Sequence, residues 1–282
     1  MSVDVSPFEV AATSADAPLR TEGVARLRVE RVAGESVAMD IDEQGPLRLR
    51  FPRTRAGDSL EAVIVNTGGG IVGGDRLTVE VGSGEGASIS LTSQAAEKIY
   101  RSSGATARIS VRLAAAAGAR LAWLPQESIL FDRARISRAI DAEMTSDASL
   151  TICESVVFGR TAMGERIGAG TLRDRWRIRR DGKLAFADAV TLDGAVGNIL
   201  DGRAIAAGAV ALATLVHLAP NSGHKLNAIR ATFETPDVEA GASAFDGVLV
   251  ARFIARDGLN LRGAILAALD ALGLVPPRAF TL

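Results

Sequence analysis

The chain has 282 residues, 48% of them hydrophobic and only 4% aromatic, with a formal net charge of −1. That length admits one large β domain or two smaller ones, and that apolar content excludes a globally disordered chain. Balanced charge and few aromatics argue against a nucleic-acid binder, which needs a basic face and stacking platforms. Residues 1–20 carry acids and no continuous apolar segment, so they read as a flexible polar arm and not as a signal peptide.

From Val24 onward the pattern has period two. Ala25, Leu27 and Val29 point one way and Arg26, Arg28 and Glu30 the other. The alternation returns over Leu47–Phe51, Leu77–Val81, Ala87–Leu91, Ala107–Leu113, Ile136–Met144 and Leu172–Ile178, each stretch bounded by Gly, Asp or Ser. Asp181-Gly182 between Trp176–Arg180 and Leu184–Val190 predicts a hairpin with a type I′ turn. The uncharged run over residues 204–219 is too short and too rich in alanine to span a bilayer; its composition admits a helix over Ala204–Leu218, but Val210–Leu218 within it reads as a buried strand. Helical spacing appears only late. Asn221–Glu234 places Leu226, Ile229 and Phe233 on one face, with Asn221 or Ser222 as N-cap. Asn260–Leu272 carries the stripe Leu261, Ile265, Leu269 and Leu272, with Asn260 as cap, Gly273 just past the end and Pro276-Pro277 preventing continuation. Val248–Ile254 is a strand between the two helices. The expected architecture is mainly β: many strands followed by a small helical cap, with no internal repeat and no domain linker.

The stretch Asn66–Leu77 reads Asn-Thr-Gly-Gly-Gly-Ile-Val-Gly-Gly-Asp-Arg-Leu. Gly68, Gly70 and Gly73 satisfy G-x-G-x-x-G, but that fingerprint holds pyrophosphate only when a helix follows, and Leu77–Val81 alternates like a strand. Gly69 and Gly74 have P-loop separation, yet Asp75-Arg76 stand where Lys and Ser/Thr are needed. The glycines therefore read as a backbone device, giving positive φ or close approach, with one carboxylate at the exit.

No Gly-x-Ser-x-Gly elbow is present, and no His or Cys pair has zinc-type spacing. His217 reads as a core or edge residue, His224 as an ornament of a helix start and Cys153, the one cysteine, as a buried strand residue. What remains is a set of carboxylates in unusual settings: Asp75, Glu97, Glu127, Asp132, Glu154, Glu165, Asp174 and Asp188. Acids flanked by apolar residues are costly to bury alone, so some must have a cation, a donor or water beside them.

Asn66–Leu77, Thr92–Ser102, Leu121–Ala134, Phe158–Glu165 and Trp176–Asp188, taken in that order, resemble the UreD (UreH) family of urease accessory proteins. Pro277-Arg278-Ala279-Phe280 is similar to the family's Pro-Arg-aromatic ending, with Ala279 intervening. The resemblance covers about Val24 to Phe280. It implies a single domain over residues 21–282, with a β-helix-like, stacked-sheet body and two α-helices in the C-terminal region. It also implies a non-enzymatic chaperone of the cytoplasm that works with UreF and the GTPase UreG to insert Ni²⁺ into apo-urease. GTP would bind UreG and not this chain, no cofactor would be tightly held, and neither nucleic acid nor membrane would be a partner. Asp75, Glu97, Glu127, Glu154, Glu165 and Asp174 become candidates for a transient nickel path. Gly68, Gly69, Gly70, Gly73 and Gly74 become its structural loop, and Leu261, Arg262, Ile265 and Leu269 the candidates for docking UreF. Ni²⁺ prefers imidazole and thiolate, so a chain poor in His and Cys suits transit better than storage. A pure docking scaffold and an unrelated carboxylate hydrolase are the competing readings.

Overall fold

In the computed structural model, residues 20–52, 59–234 and 237–280 are described; the expected N-terminal arm, Arg20 aside, lies outside them. The alternating segments become strands. In chain order they are β1 (Glu22–Val32), β2 (Glu35–Gln44), β3 (Leu47–Arg50), β4 (Leu60–Asn66), β5 (Arg76–Ser83), β6 (Ser88–Ser93), β7 (Glu97–Ile99) and β8 (Ala107–Ala115). There follow β9 (Arg120–Trp123), β10 (Ser128–Leu130), β11 (Arg135–Met144), β12 (Ser149–Phe158), β13 (Gly170–Arg180) and β14 (Lys183–Gly194). The last third contains α1 (Val196–Asp201), β15 (Ala211–Leu218), α2 (Leu226–Arg230), β16 (Val238–Phe245), β17 (Val248–Ala255) and α3 (Gly258–Leu272).

These strands form two stacked sheets. The first has the order β14-β13-β11-β8-β5-β1-β2, and the second runs β16-β17-β15-β12-β9-β6-β4-β3, with β7 and β10 attached beside β12. The middle of each sheet is parallel: β1, β5, β8, β11 and β13 in the first, β4, β6, β9 and β12 in the second. From β4 to β13 the parallel strands alternate between the sheets, β4 to β5 to β6, β8 to β9 and β11 to β12 to β13, which is the path of a β-solenoid. The short crossings are stacked turns, closed by Ala87 N–H to Gly84 C=O (3.0 Å), Ala119 N–H to Ala116 C=O (3.0 Å) and Ala148 N–H to Thr145 C=O (3.2 Å).

Between the sheets, side chains stack in rows across neighbouring strands. Ala25, Val79, Val111, Ile140 and Trp176 form one row, and Leu27, Val81, Leu113, Ala142 and Ile178 the next. Each fully buried Val, Leu or Ile contributes roughly 1.5–3 kcal/mol of transfer free energy, so these rows hold the body together. The outer face of the first sheet carries a row of alternating charge in strict register: Asp42, Arg26, Glu80, Arg112, Asp141 and Arg177. Arg26 reaches Asp42 at 2.6 Å and Glu80 at 2.8 Å, and this ladder leaves the face to solvent. The outer face of the second sheet is covered instead. There α3 buries Leu261, Ile265, Leu269 and Leu272 against β15 and β17, together with Phe253 and Phe280.

Two helix expectations need correcting. The predicted helix over Asn221–Glu234 is only a 3₁₀ turn, Ser222–Lys225, followed by the short α2. Its end tightens where Thr232 Oγ1 donates back to the Ile229 carbonyl at 2.8 Å, a local bond that competes with continuation. The α3 helix starts earlier than Asn260. Asp257 is extended and its Oδ1 accepts from the Asn260 N–H at 2.8 Å, so Asp257 is the cap and Asn260 lies inside the first turn. Gly273 ends the helix in the left-handed region, φ +75°, as expected. Among the described residues, no helix is long and apolar enough to cross a membrane.

Candidate functional site

Because β4, β6, β9 and β12 are parallel, the segments that follow them emerge at one end of the second sheet. Those segments are the glycine loop, the Thr92–Ser102 stretch, the Leu121–Ala134 stretch and the Phe158–Glu165 stretch. Four motifs distant in sequence are thus brought together by strand direction.

The glycine loop is pinned to its neighbour by Ile71 N–H to Lys98 C=O (2.8 Å) and Tyr100 N–H to Ile71 C=O (2.9 Å). Gly70 has φ +143°, and a Cβ there would lie 2.9 Å from the Lys98 carbonyl oxygen and run into the Tyr100 ring. Gly73 keeps an ordinary φ, and close approach alone demands glycine there, since a Cβ would collide with Ser102 Oγ. Gly69 and Gly74 are left-handed, at φ +74° and +99°, whereas Gly68 is not. Asp75 closes the loop: its Oδ1 accepts from Thr21 N–H at 2.9 Å and its Oδ2 from Val72 N–H at 2.8 Å. The strand β5 follows directly.

Glu97 lines a cleft of about 160 Å³ with Asn66, Gly69, Gly70, Ser93 and Gln94. Its one side-chain donor among the described residues is Asn66 Nδ2 at 3.1 Å. Burial pushes its carboxyl up to about 7. Glu165 instead accepts from Asp132 N–H at 3.0 Å and from Arg160 Nε at 2.9 Å, and Arg160 holds its carboxyl below the usual range. The Arg160 guanidinium lies 4.5 Å over the Phe131 ring, which meets Tyr100 edge-on at 5.0 Å. Asp132 takes the Gly168 and Ala169 N–H groups at 2.8 and 3.0 Å. Glu127 is on the helical side, paired with Arg262 at 2.7 Å.

Glu154 and Asp174 come from opposite sheets and meet at Arg138. The guanidinium takes Asp174 as a fork, with Nε at 3.1 Å from Oδ1 and NH2 on Oδ2, while NH1 contacts Glu154 Oε2. Trp123 Nε1 donates to Glu154 Oε1 at 2.8 Å, and Trp176 Nε1 to Asp174 Oδ1 at 3.1 Å. Arg138 and Glu154 are each 4% exposed and Asp174 11%. Burial pushes the Glu154 carboxyl up to about 7 against the pull of Arg138. Burial also opposes the Arg138 charge, but Asp174 and Glu154 outweigh it and raise its pKa. Two acids on one base leave Asp174, the forked partner, with the larger share of the guanidinium.

Arg138 and the two tryptophans were not among the residues singled out from sequence. A signal existed: in Ile136–Met144 the inward positions are Ile136, Arg138, Ile140, Ala142 and Met144, so an arginine interrupts the apolar phase. The six acids do not form one centre. Among the described residues, no three His, Cys, Asp or Glu side chains converge as a metal site. Burial lowers His217 to about 4, its Nδ1 lies 2.9 Å from Thr151 Oγ1, and Cys153 is buried with its thiol pushed up. The proposed docking residues Leu261, Ile265 and Leu269 are core residues, exposed by 1, 2 and 0%. Arg262 is held by Glu127 and by Gln126 Oε1 at 2.9 Å. The exposed residues of α3 are Leu259, Gly263 and Asp270.

The family model described as UreD urease accessory protein matches residues 21–278. Urease accessory protein UreD 3 of Bradyrhizobium sp. (strain BTAi1 / ATCC BAA-1182) is 48% identical over 257 residues, which is 91% of this chain and 92% of that protein. Urease accessory protein UreD of Rhodopseudomonas palustris (strain BisB18) is 45% identical over 275 residues, 97% of this chain and 99% of the relative. Urease accessory protein UreD of Methylobacterium sp. (strain 4-46) is 47% identical over 268 residues, covering 93% and 95%. Near-complete coverage at this identity, on a two-sheet body whose motif loops gather at one end, makes the chain a member of the UreD family of urease accessory proteins.

Proposed function

We propose that this protein acts in the cytoplasm, as one domain over residues 21–282, with UreF and the GTPase UreG to load nickel into apo-urease. GTP is bound by UreG. Ni²⁺ is cargo, attracted by carboxylates of this chain and passed on. The observation that carries this reading is Glu97. Of the six candidate acids it is the one with neither an ion pair nor a backbone donor among the described residues, and it borders the cleft at the loop end. A carboxylate with one amide donor has lone pairs free for a cation, and carboxylate is a weak enough nickel ligand to let go again. Asp75 and Glu165 serve the loops that shape this end, and Glu127 ties it to α3. Glu154 and Asp174 extend the acidic character inward between the sheets.

The test is nickel per urease active site after activation with the Glu97→Gln variant. Amides keep shape and much of the hydrogen bonding while removing charge. The expected outcome is reduced nickel with the UreF and UreG complex intact. Wild-type loading by this variant, and by Asp75→Asn with Glu165→Gln, would leave a docking scaffold without a conducting role.

A further inference from the structure

We infer that Arg138 is a resident counter-cation that keeps the Glu154 and Asp174 carboxylates from retaining a divalent metal. The inference rests on the nickel-path reading and deepens it.

Both carboxylates have their oxygens committed. Arg138 covers Glu154 Oε2 and both oxygens of Asp174, and the indoles of Trp123 and Trp176 take Glu154 Oε1 and Asp174 Oδ1 at 2.8 and 3.1 Å. A metal ion needs lone pairs, and an N–H donor already stands at each of these four oxygens, with two of them at Asp174 Oδ1. The cavity beside the group, lined also by Asp188, Leu212 and Thr214, holds about 10 Å³. That is the space of about one water, so no hydrated dication fits beside the guanidinium. A dication would have to displace Arg138.

The same geometry explains why such a residue is needed. Two carboxylates facing each other from different sheets, nearly shut off from water, would be an electrostatic trap for a divalent cation. A neutral residue at 138 would leave two buried charges that only a dication or two protons could balance. The guanidinium fills that place with a covalently attached charge. Its planar fork suits Asp174, and its third nitrogen reaches Glu154. An ion moving past Glu97 then meets no deep well between the sheets. Arg138 is a positioning residue in this sense, because it acts through the two acids and not on the cargo itself.

Equilibrium dialysis of the purified full chain against Ni²⁺ tests this. Arg138→Gln should retain about one more Ni²⁺ per chain than wild type, as expected for an uncovered pair of buried acids. Adding Glu154→Gln and Asp174→Asn to it should remove that gain. A folded Arg138→Gln protein that binds no more nickel than wild type overturns the inference, as does a gain that persists without the two acids. If Arg138→Gln does not fold, Arg138→Lys carries the test. An ammonium cannot fork both acids, so this variant should show a smaller gain, abolished by Asp174→Asn, and wild-type binding would overturn the proposal. Urease loading is a separate readout. Nickel retention by Arg138→Gln with wild-type loading by every carboxylate variant would keep the counter-cation role and remove the nickel path.

Discussion

The Tyr100 hydroxyl donates to the Gly69 carbonyl at 3.1 Å, and its ring closes over the space that a side chain on Gly70 would need. The glycine loop is thus held from above by one aromatic residue, itself braced by Phe131, over whose ring Arg160 lies. This makes the loop a rigid part of the motif end and gives its glycines unequal importance.

Gly70→Val and Gly73→Val should each cost about 2–4 kcal/mol or prevent folding, through overpacking and, at Gly70, an unfavourable φ as well. Gly69 is left-handed but faces open space, so Gly69→Ala should cost only about 1 kcal/mol. Urea unfolding midpoints check the ranking. A Gly70→Val protein as stable as wild type would show that the Tyr100 contact is soft.

The chain alone should bind neither GTP nor NAD. The glycine run leads into β5, so no helix N-terminus is aimed at a phosphate, and Asp75 spends both oxygens on backbone N–H groups. Micromolar binding of either nucleotide in calorimetric titration would contradict this.

Charge reversal at Arg262 would break its contacts to Glu127 and Gln126 and is a poor probe of docking. Gly263 is a cleaner one, with nothing within 4 Å of a Cβ placed there. Gly263→Arg should stabilise α3 by up to about 1 kcal/mol through helix propensity. It should also weaken UreF pull-down if that face docks UreF. Leu269→Ala, by contrast, should cost about 2–5 kcal/mol as a core cavity. Unchanged pull-down by Gly263→Arg would move the UreF contact off this helix.

Glu97 predicts a pH dependence. Its carboxyl is raised from 4.5 to about 7 by burial, so between those values the folded state holds a proton that the unfolded chain has lost. Stability therefore falls as pH rises through this window, and the penalty is complete above about 7. At about 1.4 kcal/mol per unit, the ceiling is about 3 kcal/mol. Glu97→Gln should be more stable than wild type at pH 8, with the difference vanishing below about pH 4.5. A difference that does not vary with pH would mean that Glu97 is well solvated.

Much of the fold was legible because strand formation is local. The alternation around Ala25, Leu27 and Val29 needs only one wet and one dry face, and it became β1. Asp181-Gly182, at φ +50° and +74°, makes the predicted tight turn between β13 and β14. The solenoid repeat was hidden, because Val79, Val111, Ile140 and Trp176 stack directly while the loops between them differ in length. Helix ends were legible where backbone strain decides, as at Gly273, and not where side chains compete for the same N–H groups, as between Asp257 and Asn260.

The sequence by itself determined that buried strands would carry acids needing partners, since an unpaired carboxylate among Val, Ile and Phe is too costly to survive folding. Which partner each acid found was decided by tertiary structure. Glu154 meets an arginine 16 residues away, Asp174 reaches the same arginine across 36, and Glu127 is paired across 135. Glu97 received only an amide and a cleft. Alternation states which face a side chain takes, but the neighbour it meets there depends on strand register and on how two sheets close over each other. Those are set by the summed burial of the whole core and by no local segment.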